Sequence, residues 1–100
     1  MRVIAKRTLR AFWESNSKYS NAQASLEAWH EEALKADWTN PQDIKAQFKS
    51  ASILKDSRVV FNIKGNHYRL IVKINYPYGI VYIRFIGTHA QYDEIDVETV

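Results

Sequence analysis

The stretch 59–93, VVFNIKGNHYRLIVKINYPYGIVYIRFIGTHAQYD, decides the fold. Its apolar residues recur at every second position, the period of strands with one buried face. Val59, Phe61 and Ile63 alternate with Arg58, Val60 and Asn62. Gly65-Asn66 is a two-residue hairpin signal, and glycine at the first central position suits a type II′ turn. Tyr68, Leu70, Val72 and Ile74 then alternate with Arg69, Ile71 and Lys73. Residues 75–79, which include Pro77, read as the next turn. Val81, Ile83 and Phe85 are expected to face the core from a third strand, with Tyr82, Arg84 and Ile86 opposite. Thr88 and Gln91 form a capping box, so a short helix is expected from His89.

Upstream of residue 50 the apolar period is 3.6. Val3 and Ile4 suit a very short first strand. Leu9, Phe12 and Trp13 predict a helix over 5–15. After the breaker SNSKYSN, Ser20 and Gln23 resemble a capping box, and Leu26, Trp29, Ala33 and Leu34 predict a second helix over 20–36. Asn40-Pro41 reads as an N-cap and first helical position of a third, short helix that buries Ile44 and Phe48. Helices followed by a strand meander make the chain α+β, with N-terminal helices packed on one face of a small antiparallel sheet and a short C-terminal helix. One domain, 1–100, accounts for the whole sequence.

A two-residue loop sets the register of the first hairpin. Lys64 then opposes His67, Asn62 opposes Arg69, Val60 opposes Ile71 and Arg58 opposes Lys73. With Ile83 and Phe85 taken as inward, Arg84 joins Arg69 and Lys73 on the outer face. No carboxylate lies on these strands to neutralise that face, and adjacent like charges on a sheet are destabilising. Such a face suits an anion. A solvated face with edge lysines, or one that docks an acidic protein segment, is the plainer reading of the same residues.

Composition narrows the chemistry. There are 14 Lys plus Arg against 11 Asp plus Glu, a net charge of +3, which permits a nucleic-acid partner without demanding one. The acids cluster in 27–43 and 93–98, the bases in 1–10 and 58–84. No cysteine is present, which removes disulfides, thiolate nucleophiles and cysteine-based zinc sites and fits a reducing cytoplasm. MRVIAKRTLR lacks the apolar run of a signal peptide, and no apolar stretch is long enough to span a bilayer. A soluble, cytoplasmic protein without a membrane partner is expected.

Three histidines are present. His30, beside Glu31 and Glu32, reads as a surface residue, and His67 flanks the hairpin turn. His89 differs, because it stands at a strand-to-helix junction. A helix N-terminus disfavours an imidazolium, so a neutral His89 can accept a proton and return it. Tyr92, three residues on, lies on the same side of that helix, where its ring can stack on a base or its hydroxyl can meet a phosphate. Asp93, Glu94 and Asp96 have no ligand spacing around them, so neither a metal nor another cofactor is expected. GxSxG, P-loop, HExxH and dinucleotide-binding glycines are absent. Arginines with one titratable His or Tyr suit RNA cleavage, because RNA carries its own nucleophile in the 2′-hydroxyl.

The blocks FNIKGNHYRLIVKI and YIRFIGTHAQYDEID resemble the HigB-type toxins of type II toxin–antitoxin systems, a branch of the RelE-like group. The resemblance covers nearly the whole chain and is strongest over 61–96. It implies a translation-inhibiting mRNA interferase, an endoribonuclease that cuts mRNA on translating ribosomes and leaves a 2′,3′-cyclic phosphate. It also implies a HigA-like helix-turn-helix antitoxin as partner, through which the pair meets operator DNA. On this chain Arg69 and Arg84 would hold the scissile phosphate. His89 and Tyr92 would handle protons or stack a base, and Asn62, Lys64 and Lys73 would extend the RNA-binding surface. Lys6, Arg7, Arg10, Lys45 and Lys49 are candidates for ribosome docking. The alternative is a non-catalytic RNA-binding module that uses the same face.

Overall fold

The computed structural model describes all 100 residues. A first strand, β1 (Arg2–Ile4), leads into α1 (Lys6–Ser15). A 3₁₀ turn (Ser17–Ala22) precedes α2 (Gln23–Lys35), and α3 (Pro41–Gln47) closes the helical half. Then come β2 (Ser52–Ile53), β3 (Arg58–Ile63), β4 (Tyr68–Asn75), β5 (Ile80–Thr88) and α4 (His89–Asp93). The α+β order is the expected one. No helix is long and apolar enough to cross a membrane.

Local chemistry explains most boundaries. The Asn40 side chain accepts from Asp43 N at 3.1 Å and Pro41 opens α3, as a cap followed by proline should. Thr88 and Gln91 form the full capping box of α4. The second helix starts later than the sequence suggests. Asn16 caps the 3₁₀ turn, and the Ser20 hydroxyl donates to the carbonyl of Ser17 at 2.7 Å, so it does not cap α2. Polar residues that can bond their own backbone often defer a helix in this way.

The sheet order is β1-β5-β4-β3-β2. β3, β4 and β5 form the expected antiparallel meander, and β2 adds an antiparallel edge. β1 pairs with β5 in parallel, so the sheet is mixed at that edge. The first hairpin has the expected register, with Asn62 across from Arg69, Val60 from Ile71 and Arg58 from Lys73. Its turn is closed by the His67 amide donating to Lys64 O at 3.2 Å, with Lys64 and Gly65 both at positive φ, 52° and 65°.

The β4–β5 register differs. Ile71 faces Phe85, yet Val72 faces Ile83, so one residue of β5, Arg84, is left over in a β-bulge. The bulge reverses the alternation beyond it. Ile83 faces the core as expected, but Phe85 lies with Ile71 on the outer face and Ile86 packs inward instead.

The core lies between the helices and one sheet face. Leu9 and Trp13 of α1, Leu26, Trp29 and Ala33 of α2, and Ile44 of α3 meet Val59, Phe61, Leu70, Val72 and Val81. Phe61 is its aromatic centre, with the Trp29 ring at 5.3 Å, Phe48 at 5.0 Å and Trp38 stacked at 6.1 Å. Two expectations on α2 are corrected. Leu34 turns to solvent, 43% exposed, and His30 is buried at 8%, because its ring lies on the face that carries Leu26 and Ala33. Its Nδ1 has no partner, and burial followed by the charge of Lys6 lowers its pKa below the ordinary 6.5.

Candidate active site

The outer sheet face presents Asn62, Arg69, Lys73 and Arg58 in register on β3 and β4. Arg84 belongs to the same side. Its Nε and the Nη2 of Arg58 both donate to the main-chain oxygen of Val100, at 3.4 and 3.1 Å. The face divides into two ends.

At the α4 end, Arg69 pairs across the sheet with Gly87. Its guanidinium sits 5.8 Å from the centroid of the Tyr92 ring and 3.4 Å from Asn66 Oδ1. A cation over an aromatic face is held without spending its hydrogen-bond donors on a carboxylate. Tyr92 in turn meets His89 edge to face, with centroids 6.4 Å apart. The His89 Nδ1 lies 3.1 Å from Asp93 Oδ2 one helical turn on. A hydrogen bond from Nδ1–H to that carboxylate favours the tautomer in which Nε2 carries the free lone pair. The capping box and Gly87 place these groups. A Cβ on Gly87 would stand 2.6 Å from Phe85 Cζ and 2.7 Å from Gln91 Oε1, so glycine lets α4 fold down onto the sheet.

Arg69, Tyr92 and His89 are therefore brought together as the sequence suggests. Asp93 is the member that sequence reasoning missed, since its carboxylate reads there as a poor metal ligand or as an acid of an early helical turn. Its i, i+4 spacing from His89 was the available signal. His89 opens α4 as expected, and its ring pairs with Asp93 at the other end of that five-residue helix.

At the other end the arrangement is not the expected one. Arg84 is not beside His89 but at the bulge, three residues before Gly87. Arg58, treated only as a strand residue, is 6% exposed, and its Nε has no partner. Lys73 lines a shallow hollow of about 280 Å³ with Asn75, Tyr82 and Ser57. Asn62 donates to Ser50 O at 3.3 Å, which ties it to the chain before β2, and Lys64 is exposed in the turn.

The docking candidates also sort themselves. Lys6, Arg7 and Arg10 line a groove of about 720 Å³ between α1 and α2, shared with Glu14 and Glu27. Arg10 is paired with Glu14 at 3.1 Å. Lys45 donates to the carbonyls of Lys49 and Ala51 at 2.7 and 2.8 Å, so its charge is committed to the end of α3.

Comparison with known proteins identifies the family. A family model described as HigB_toxin, RelE-like toxic component of a toxin-antitoxin system, matches residues 22–95, which takes in α2, the sheet meander and α4. A protein named mRNA interferase toxin HigB from Escherichia coli (strain K12) is 31% identical over 88 residues, 86% of this chain and 85% of its own. An mRNA interferase HigB of Shigella flexneri matches with the same identity and coverage. One from Escherichia coli O6:H1 is 26% identical over 97 residues, 95% of this chain and 91% of that protein. The chain belongs to the HigB toxin family, the RelE-like toxic components of toxin–antitoxin systems.

Proposed function

We propose that this toxin is a ribosome-dependent endoribonuclease that cuts mRNA without a metal, using the 2′-hydroxyl of the RNA as nucleophile. The observation that carries this reading is the run Arg69–Tyr92–His89–Asp93. It brings a guanidinium, an aromatic ring and a carboxylate-paired imidazole side by side at one end of a basic face, which supports phosphate binding, base stacking and proton transfer there.

Each group has one task. The 2′-oxygen attacks the adjacent phosphorus, the bond from phosphorus to the 5′-oxygen breaks, and the products carry a 2′,3′-cyclic phosphate and a 5′-hydroxyl. Arg69, at the scissile phosphate, offsets the charge that grows on the equatorial oxygens, a contribution of a few kcal/mol. Arg84 neutralises the backbone beside it. Nε2 of His89 transfers a proton, held in the right tautomer by Asp93, at a gain of about 10²–10⁴ in rate. The Tyr92 ring stacks a base and fixes the RNA against Arg69. Lys73, Lys64 and Asn62 extend the charged track. The ribosome supplies the extended mRNA, and Lys6 and Arg7 on α1 meet its RNA. A HigA-like helix-turn-helix antitoxin silences the toxin and carries the pair to operator DNA, and the pair works in the cytoplasm.

The test adds purified toxin to translating ribosomes and maps new mRNA ends. Cuts by wild type that vanish in Arg69→Ala and His89→Gln support the enzyme. RNA that binds and is never cut makes the protein a binding module instead.

A further inference from the structure

Arg58 and Arg84 reach one oxygen from the two strands that flank β4, so that oxygen lies above β4. Directly beneath are Ile71, fully buried, and Val60, 3% exposed. Both point to the outer face, and neither belongs to the core cluster, so something other than the helices covers them. Segment 94–100, whose Val100 carries that oxygen, runs over this side of the sheet. Ile95, Val97 and Val100 are half-buried, while Glu94, Asp96 and Glu98 turn outward. Asp96 folds the segment back, with its carbonyl accepting from the amides of Thr99 and Val100 at 3.2 and 3.1 Å.

Two guanidinium groups, each with five N–H donors, converge on one oxygen of Val100. Arg58 is almost wholly buried, its Nε is unpartnered, and the side-chain carboxylate of Asp56 is 3.9 Å from Nη1. A buried charge this incompletely paired is costly unless an anion arrives. A phosphate offers several oxygens to both forks, through shorter and stronger charge-assisted bonds. Arg84 lies about 10 Å along β5 from the residue opposite Arg69, at roughly 3.3 Å per residue. The phosphate at this seat is thus a different one from the phosphate beside His89.

We infer that Arg58 and Arg84 form a second phosphate subsite for the RNA backbone, and that the acidic segment 94–100 occupies it until RNA displaces it. The inference rests on the reading of this face as an RNA site and adds to it a residue, Arg58, and a competitor within the chain.

The experiment uses the wild-type protein and a short single-stranded 2′-O-methyl oligonucleotide, which cannot be cut. Hydrogen exchange is followed with and without it. The expected result is faster exchange in 94–100 on binding, with β4 unchanged. A chain shortened after Glu94 should bind the same oligonucleotide severalfold tighter, and Arg84→Ala in that shortened chain should remove the gain and lower the salt slope by about one. Should the shortened chain fail to fold, the exchange measurement on the full chain decides alone. The idea is overturned if the segment stays protected with oligonucleotide bound, if no oligonucleotide binds, or if Arg84→Ala leaves affinity and salt slope unchanged. Neither measurement reads cleavage, so a toxin that binds here and never cuts overturns the proposed enzyme and leaves this subsite standing.

Discussion

Nδ1 of His89 and Oδ2 of Asp93 stand 3.1 Å apart, one turn apart on the same short helix. Both side chains are more than half exposed, so the pair does little for stability. In the proposed mechanism its value is orientation, since a bond from Nδ1–H leaves Nε2 free. Asp93→Asn is therefore expected to leave the melting temperature nearly unchanged and to lower the cleavage rate. The loss should be smaller than the roughly 10²–10⁴-fold loss of His89→Gln. Single-turnover cleavage beside thermal unfolding checks both halves.

Arg69 combines charge with a cation–π contact to Tyr92, 5.8 Å from its ring centroid. Arg69→Lys keeps the charge but loses the fork and the stacking, so it should recover only a small part of the activity that Arg69→Ala removes. The alanine loss should reach about 3 kcal/mol in the barrier, roughly 10²-fold. Tyr92→Phe should cleave nearly as well as wild type, whereas Tyr92→Ala should not, because the ring does the work. Cleavage rates of the four variants decide it.

Gly87 is where α4 comes down on the sheet. Gly87→Ala forces a Cβ against Phe85 and Gln91, and Gln91 Oε1 is the acceptor for the Thr88 amide at 2.8 Å. The substitution should cost about 1–3 kcal/mol by overpacking and should displace His89 and Tyr92 together. Denaturant unfolding with cleavage in parallel would show both losses. A variant with normal stability and normal cleavage would contradict this placement of α4.

His30 makes stability depend on pH. Burial and Lys6 lower its folded-state pKa below the unfolded value of 6.5, so the unfolded chain takes up the proton first. The stabilisation is complete above 6.5 and is lost as pH falls through the folded value. Melting temperatures between about pH 7.5 and 5.5 should therefore decline, and His30→Gln should flatten that decline, since glutamine does not titrate there.

Much of this was legible in the residues, and the failures have physical causes. Strict alternation in 59–63 and 68–74 set the hairpin register, and with it the shared face of Asn62, Arg69 and Lys73. The bulge at Arg84 was hidden because Ile83, Phe85 and Ile86 are all apolar, so either parity looked acceptable. His30 looked superficial because its sequence neighbours are acidic, although helical geometry turns it towards Leu26 and Ala33. The cover over Ile71 was missed, although Ile95 and Val97 alternate with Asp96 and Glu98 in the pattern of a segment with one buried side. Strand β2, two residues long, carries too little pattern to be seen.

The most direct measurement uses an mRNA carrying a single 2′-deoxy nucleotide at a position the toxin cuts on translating ribosomes. Cleavage should disappear at that position alone, and the remaining cuts should end in 2′,3′-cyclic phosphates. Cleavage at the 2′-deoxy position, or undiminished cutting of the normal message by His89→Gln and Arg69→Ala, would contradict a site built from Arg69, Tyr92, His89 and Asp93.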